Sequence, residues 1–329
     1  MPTRRRALLI LAALAGLSQL SIVLALMVGS IPISPVEVIS TLLGSGGETT
    51  ADVVRSLRLP RALTGFACGG LLALAGALLQ VLLRNPLADP YVLGISGGAG
   101  IGALLAIVLG LGVAGVNGLA FAGALGAMLL VFGLAHGEGG WTHSRLLLTG
   151  VIVAAGCGAV VTLMLAIAPE DRLRGMLFWL MGDLSQTGDP QLVLILLLTV
   201  LLISLPFARE LNLLARGADV AQALGVAVRP LRRGVYLVAS LATAAAVTHA
   251  GAIGFIGLIV PHLVRLATGN DQRLLLPASA LAGGSLLVIA DTLARTLLAP
   301  QQLPVGVLTA LIGVPVFLFL LTRAAPGRG

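Results

Sequence analysis

Ten apolar segments divide this chain, at about 7–29, 62–83, 92–111, 115–135, 146–168, 190–208, 234–250, 254–268, 274–298 and 305–322, with short polar joints between them. A bilayer crossing takes about 20 residues, so ten crossings consume most of the 329 residues. With 58% hydrophobic and 10% charged residues, the chain carries more apolar surface than one or two water-soluble domains can bury. The reading is an all-α polytopic membrane protein of about ten transmembrane helices, with 1–329 forming a single transmembrane domain and no room for a soluble catalytic one. The eighth segment is short for a crossing and holds Pro261 and His262, which predicts a helix that is tilted, broken or sheltered by protein.

All 20 basic residues are arginine. Without lysine the chain has neither the G-x-x-x-x-G-K-[ST] phosphate loop nor a Schiff-base amine, which excludes ATP binding of that kind. A net charge of +7 suggests nucleic acid in a soluble protein, but these arginines flank apolar segments, the pattern of topology-setting charge. No nucleic-acid partner is expected. An even number of crossings puts both termini on one side. With the N-terminus inside, Arg4, Arg5, Arg6, Arg84, Arg145, Arg209, Arg216, Arg229, Arg232, Arg233, Arg265, Arg273, Arg323 and Arg328 fall on the inner side. Arg55, Arg58, Arg61, Arg172, Arg174 and Arg295 fall on the outer side. This imbalance predicts cytoplasmic termini. The first apolar run exceeds the roughly 7 to 15 residues of a cleavable signal peptide and is expected to stay as the first helix.

Reactive chemistry is sparse. Cys68 and Cys157 lie in separate apolar runs, where a thiol acts as a small hydrophobe, so neither a disulfide, a metal site nor a cofactor is expected. There is no H-E-x-x-H, no G-x-S-x-G and no pair of carboxylates within one apolar segment, and Asp291 reads as the lone acid at membrane depth. The chain is not expected to be an enzyme. Glycines cluster instead, at Gly69, Gly70 and Gly76, from Gly94 to Gly102, and at Gly251, Gly254 and Gly257. Small residues let helices approach closely where lipid supplies no hydrophobic drive.

Four stretches ask for more than a bilayer crossing. Arg58-Leu59-Pro60-Arg61 puts two arginines on the outer side. They read either as a snorkelling helix start or, joined by Arg295, as a docking site for carboxylates of an external partner. Arg84 to Gly94, with two prolines and Asp89, reads as a tight inner turn in which Asp89 caps the third helix. The longest inner joint holds Leu213, Leu214, Ala215, Arg216, Gly217, Ala218, Asp219, Val220, Ala221, Gln222, Ala223, Leu224 and Gly225. Leu214, Ala218, Ala221 and Leu224 recur at helical spacing and Gly217 splits the run into two short helices, which lie on lipid or fill a groove on a partner. The fourth, Ala250 to His262, places His249 and His262 near membrane depth without an acidic partner in the same segment, which favours structural roles for both.

Together these stretches resemble the permease subunits of ATP-binding-cassette (ABC) importers for iron-siderophore complexes, haem and cobalamin, the FecCD or BtuC type. The resemblance runs from about Ser34 to Arg323 and is carried by Arg58-Leu59-Pro60-Arg61, Asn85-Pro86-Leu87-Ala88-Asp89-Pro90, Leu93-Gly94-Ile95-Ser96, Gly251 to His262, and Leu303-Pro304-Val305-Gly306. It implies a type II importer fold of ten helices in a bacterial cytoplasmic membrane. It implies pairing with a second copy around a central pathway, two cytoplasmic ATPase subunits, and a periplasmic or lipoprotein binding protein that delivers the ligand. On this resemblance Arg58, Arg61 and Arg295 match the outer docking pocket, Leu213 to Gly225 match the coupling helices, and Ser144 to Gly150 lie near the cytoplasmic gate. The alternative is a self-sufficient secondary transporter, for which Asp291 or the Pro261 region would supply the ion site.

Overall fold

The computed structural model describes residues 4–29, 31–45, 47–135, 143–185 and 188–323, all of whose regular structure is helical. The α-helices are α1 (Arg4–Met27), α2 (Pro35–Leu42), α3 (Glu48–Ala51), α4 (Leu59–Leu82), α5 (Ile95–Val108), α6 (Val113–Leu134), α7 (His143–Ile167), α8 (Glu170–Leu180), α9 (Gln191–Ser204), α10 (Ala208–Arg216), α11 (Ala218–Ala223), α12 (Val228–Ala250), α13 (Ile256–Thr268), α14 (Gln272–Thr296) and α15 (Val305–Arg323). Each of the ten expected apolar segments coincides with one of them. Among the described residues, six helical stretches are long and apolar enough to cross a membrane, while α5, α13 and the apolar part of α15 are shorter. The tenth, α12, is 23 residues long and carries Arg229, Arg232 and Arg233 in its first turns.

The core is built around α4. Every residue from Ala67 to Leu82 is buried, because α1, α9, α12, α13 and α14 surround this helix. Helices reach it through glycine. A Cβ on Gly69 would lie 2.3 Å from the Gly283 carbonyl oxygen of α14, and one on Gly76 would lie 1.8 Å from the Gly257 carbonyl oxygen of α13. The pair α5 and α6 meets in the same way, with 2.3 Å between a Cβ on Gly98 and the Gly123 carbonyl oxygen. Such backbone contacts replace the hydrophobic drive that lipid removes. The outer helices show the complement, with Leu8, Leu129, Ile152 and Leu198 exposed as lipid-facing side chains.

The two short helices α5 and α13 each start inside the protein. The segment Asp89–Gly94 is therefore no simple surface turn. Pro90 packs against Gly257 beside Leu72 and Gly76 of the buried α4, and Asp89 caps the 3₁₀ turn Pro90–Leu93 by accepting from the Tyr91 N–H at 2.7 Å instead of capping α5. Across from it the irregular stretch before α13 donates the Ile253 N–H to the Tyr91 hydroxyl at 2.8 Å. Irregular backbone at this depth is tolerated because protein shelters and satisfies it, as Pro261 and His262 suggested for the eighth segment.

The arginines named above separate along the bundle. Arg6, Arg84, Arg216 and Arg265 line one cavity, whereas Arg61 and Arg295 meet at the other end of α4 and α14. The two clusters stand about 36 Å apart along α4, whose 24 residues rise about 1.5 Å each. Arg328, counted with the first group, lies outside the described residues. Three α-helices escaped the sequence reading: the short α2 and α3, and α8 at the Arg61 end, which begins with Glu170, Asp171, Arg172 and Arg174 and so interrupts the apolar pattern.

Candidate functional site

At the Arg61 end, α4 and α14 bring charges together beside α1. Pro60 sits where the π-helical turn Asp52–Arg58 passes directly into α4, and Arg61 follows it. Asp291 and Arg295 lie one turn apart on α14. The Arg61 guanidinium grips Asp291 with two nitrogens, Nη2 to Oδ1 at 2.8 Å and Nε to Oδ2 at 2.9 Å, and Nη1 donates to Gln302 at 3.1 Å. Arg295 completes the cluster, with Nε 3.4 Å from Asp291 Oδ2 and Nη2 donating to the Ala25 carbonyl of α1 at 3.2 Å. Asp291 is not alone, as its sequence surroundings suggested, but is shared by two arginines.

Arg58 behaves differently. It is 7% exposed and turns inward, donating to the carbonyls of Leu26 at 2.7 Å, Met27 at 3.2 Å, and Ile31. These include the acceptors left open where α1 ends. Gly29 makes room for it, since a Cβ there would lie 2.6 Å from its guanidinium. The structure thus brings Arg61 and Arg295 together around one carboxylate and sets Arg58 beside them as the fastening of α1.

At the opposite end the polypeptide leaves α9, turns at Pro206 and forms α10 and α11, separated by Gly217 at φ +135°. The expected break is present. The helical stripe is divided, however: Leu214 is 1% exposed and packs into the chain's own core together with Leu211, and Ala221 is fully buried, while Leu224 is 61% exposed. Leu214 and Ala221 therefore hold the two short helices onto the bundle, while Ala215, Arg216, Asp219, Leu224 and Gly225 are exposed, with Leu213 and Ala218 half-buried beside them. Asn212 ties α10 to the start of α14: its Nδ2 donates to Asp271 Oδ1 and its Oδ1 accepts from the Gln272 N–H, both at 2.9 Å.

The stretch Ser144–Gly150 opens α7 and abuts the buried turn, as a Cβ on Gly150 would lie 2.4 Å from the Val92 carbonyl oxygen. His249 Nδ1 lies 2.9 Å from the Ala245 carbonyl one turn earlier on α12. Sequence reasoning missed the Asp291 partnership, although the spacing of Asp291 and Arg295 by four residues was its available signal.

The model of the FecCD transport family matches residues 17–323. This chain belongs to the FecCD transport family. It is 47% identical over 277 residues to the cobalamin import system permease protein BtuC of Halobacterium salinarum, covering 83% of this chain and 74% of that protein. It is 43% identical over 284 residues to the hemin transport system permease protein HmuU of Yersinia pestis, covering 83% and 84%. Among solved structures it resembles an inward-facing metal-chelate type ABC transporter, with TM-score 0.83 and 32% identity over 96% of this chain and 99% of that one. The chain is a multi-pass membrane permease and not an enzyme; in this family ATP hydrolysis resides on separate subunits.

Proposed function

We propose that this permease passes a bulky metal chelate, a ferric siderophore, haem or cobalamin, into the cytoplasm as half of a homodimer in a bacterial cytoplasmic membrane. A binding protein delivers the ligand to the Arg61 end, and two ATPase subunits engage α10 and α11 at the other end, which is cytoplasmic together with both termini. The observation that carries this reading is that α14 joins the two: its first turn is clamped to α10 by Asn212 and its last turns carry Asp291 and Arg295. A 25-residue helix spans about 37 Å, long enough to link the two faces of a bilayer.

In this mechanism ATP-driven closure of the ATPases pushes the exposed side of α10 and α11. The buried Leu211, Leu214 and Ala221 transmit the push to the bundle, and the Asn212 clamp passes it to α14. A docked carboxylate on the other side competes with Asp291 for Arg61 and Arg295, so binding-protein capture and α14 position are linked. The same ion pair argues against the secondary-transporter reading, since Asp291 is already neutralised by two guanidinium groups.

Uptake of radiolabelled cobalamin, haemin and a ferric hydroxamate into cells carrying or lacking the gene tests the cargo. The expected result is gene-dependent uptake of one of the three that stops on ATP depletion. Gene-dependent uptake that follows the proton or sodium gradient and ignores ATP would reject the proposal.

A further inference from the structure

At the Arg6 end a cavity of about 640 Å³ opens between α4, α10, α13 and the start of α14. Its charged lining is Arg6, Arg84, Arg216 and Arg265 against the single carboxylate of Asp271. That carboxylate is committed elsewhere, accepting from Asn212 Nδ2 at 2.9 Å and from the Arg273 N–H at 3.1 Å. Arg84 and Arg216 have exposed side chains with no hydrogen-bonding partner among the described residues. Arg84, Arg216 and Arg265 thus give the cavity more donors and positive charge than the Asp271 carboxylate offsets.

Two details mark it as built. The first is the conformation of Arg84. Helix α4 ends with the Arg84 N–H bonded to the Val81 carbonyl and the Asn85 N–H bonded to the Gln80 carbonyl, the paired closing bonds after which a helix places its residue of positive φ, ordinarily glycine. Arg84 occupies that place at φ +49°, a strained choice for a residue with a Cβ. The fold accepts this local cost and gains a guanidinium over Gly217, whose Cβ position lies 3.9 Å from it, at the break between α10 and α11. Strain of this kind concentrates at functional positions. The second detail is the floor. Gln80 is 3% exposed and fixes Arg265 by accepting from its Nη2 at 2.9 Å, its own amide donating to the Leu258 carbonyl at 3.2 Å. Gln272 is 2% exposed, yet its Oε1 has no partner among the described residues.

We propose that this cavity binds a phosphate-bearing anion. Several guanidinium groups converging on one concave site match a dianion with three or more acceptor oxygens better than a single carboxylate, and arginine meets phosphate through two parallel donors. The site lies where the bundle meets the cytoplasm in the proposed orientation. Two sources of the same chemistry reach it there: a free phosphate compound and the headgroup of an anionic lipid.

The test uses the purified full chain in detergent, with thermal unfolding followed as inorganic phosphate replaces chloride at constant ionic strength. It is paired with native mass spectrometry of chain extracted from vesicles of phosphatidylcholine with or without phosphatidylglycerol. Arg84→Gly and Arg216→Gln are compared with Arg229→Gln, which lies outside the cavity. Arg84→Gly relieves the strained backbone, so it is expected to be at least as stable as the parent without phosphate, and misfolding cannot explain its loss of binding. A saturable rise in Tm with phosphate, weakened about tenfold by each cavity variant and unchanged in Arg229→Gln, supports the site and a soluble occupant. One retained phosphatidylglycerol, lost in both cavity variants, supports the site and assigns it to a lipid. The proposal is overturned by responses that are absent or equal in parent and cavity variants. It is also overturned if those variants lose only ATPase binding, which would give the arginines to an acidic protein partner.

Discussion

Arg61 and Asp291, 230 residues apart in sequence, meet in a two-pronged ion pair with side chains only 12% and 5% exposed. Arg295 reaches the same carboxylate from the next turn of α14. Removing one partner of such a pair costs more than removing both, because the survivor stays buried and uncompensated. Asp291→Ala is therefore expected to destabilise the permease by about 3–5 kcal/mol, and Asp291→Leu combined with Arg61→Leu to recover only part of that loss, because Arg295 still lacks its carboxylate. Thermal unfolding of the purified variants in one detergent decides it. An Asp291→Ala variant as stable as the parent would show that the pair holds nothing together.

Arg58 is expected to matter for folding before it matters for docking. Its guanidinium serves three carbonyls at the end of α1 and the turn beyond, and a lysine ammonium cannot reproduce that planar fan of donors. Arg58→Lys should cost about 2–3 kcal/mol and loosen the last turn of α1, visible as faster amide exchange at residues 24–28. Unchanged exchange in Arg58→Lys would refute the fastening role.

Gly76 and Gly126 offer a paired test of the packing account. A methyl at Gly76 would meet the Gly257 carbonyl oxygen at 1.8 Å, whereas one at Gly126 meets nothing within 4 Å. Gly76→Ala is expected to abolish well-folded protein, since backbone must move to admit it. Gly126→Ala is expected to be neutral or to stabilise by about 0.5–1 kcal/mol through the unfolded state. Yields and unfolding temperatures of the two variants should separate; equal behaviour would contradict the close approach of α4 and α13.

The coupling segment gives a third contrast. Leu224 is 61% exposed and Leu214 is 1% exposed, so Leu224→Glu should release the ATPase while the permease stays folded, and Leu214→Glu should damage the permease itself. Asn212→Ala should leave the ATPase bound but reduce transport per ATP hydrolysed, because the clamp between α10 and α14 is lost. Gel filtration with ATPase and uptake assays in proteoliposomes read these outcomes separately. ATPase retained by Leu224→Glu at parental affinity would place the contact elsewhere.

The sequence made the ten apolar helices legible because long apolar runs have few other solutions at this hydropathy. It did not reveal α8, whose opening charges mask a helix, or the depth reached by Asp89–Gly94, because turn residues look alike at a surface and inside a sheltering protein. The helical stripe through Leu214 and Leu224 was visible as a period, but periodicity does not say which turn of a two-helix segment faces home and which faces a partner. Arg58, Arg61 and Arg295 stood out as charges against the topology expected from the other arginines. Their division into a buried fastening at Arg58 and a cluster around Asp291 depends on α1, α4 and α14 coming together, which no local pattern encodes.

The central claim is that this permease works as one part of an ATP-driven importer. Purifying the tagged full chain from its native cells in mild detergent and quantifying its companions by mass spectrometry tests that claim most directly. The account predicts an ABC ATPase present one-to-one with the permease and lost from the Leu224→Glu variant. Folded, transport-competent permease that repeatedly purifies without an ATPase, with uptake unaffected by ATP depletion, would contradict it.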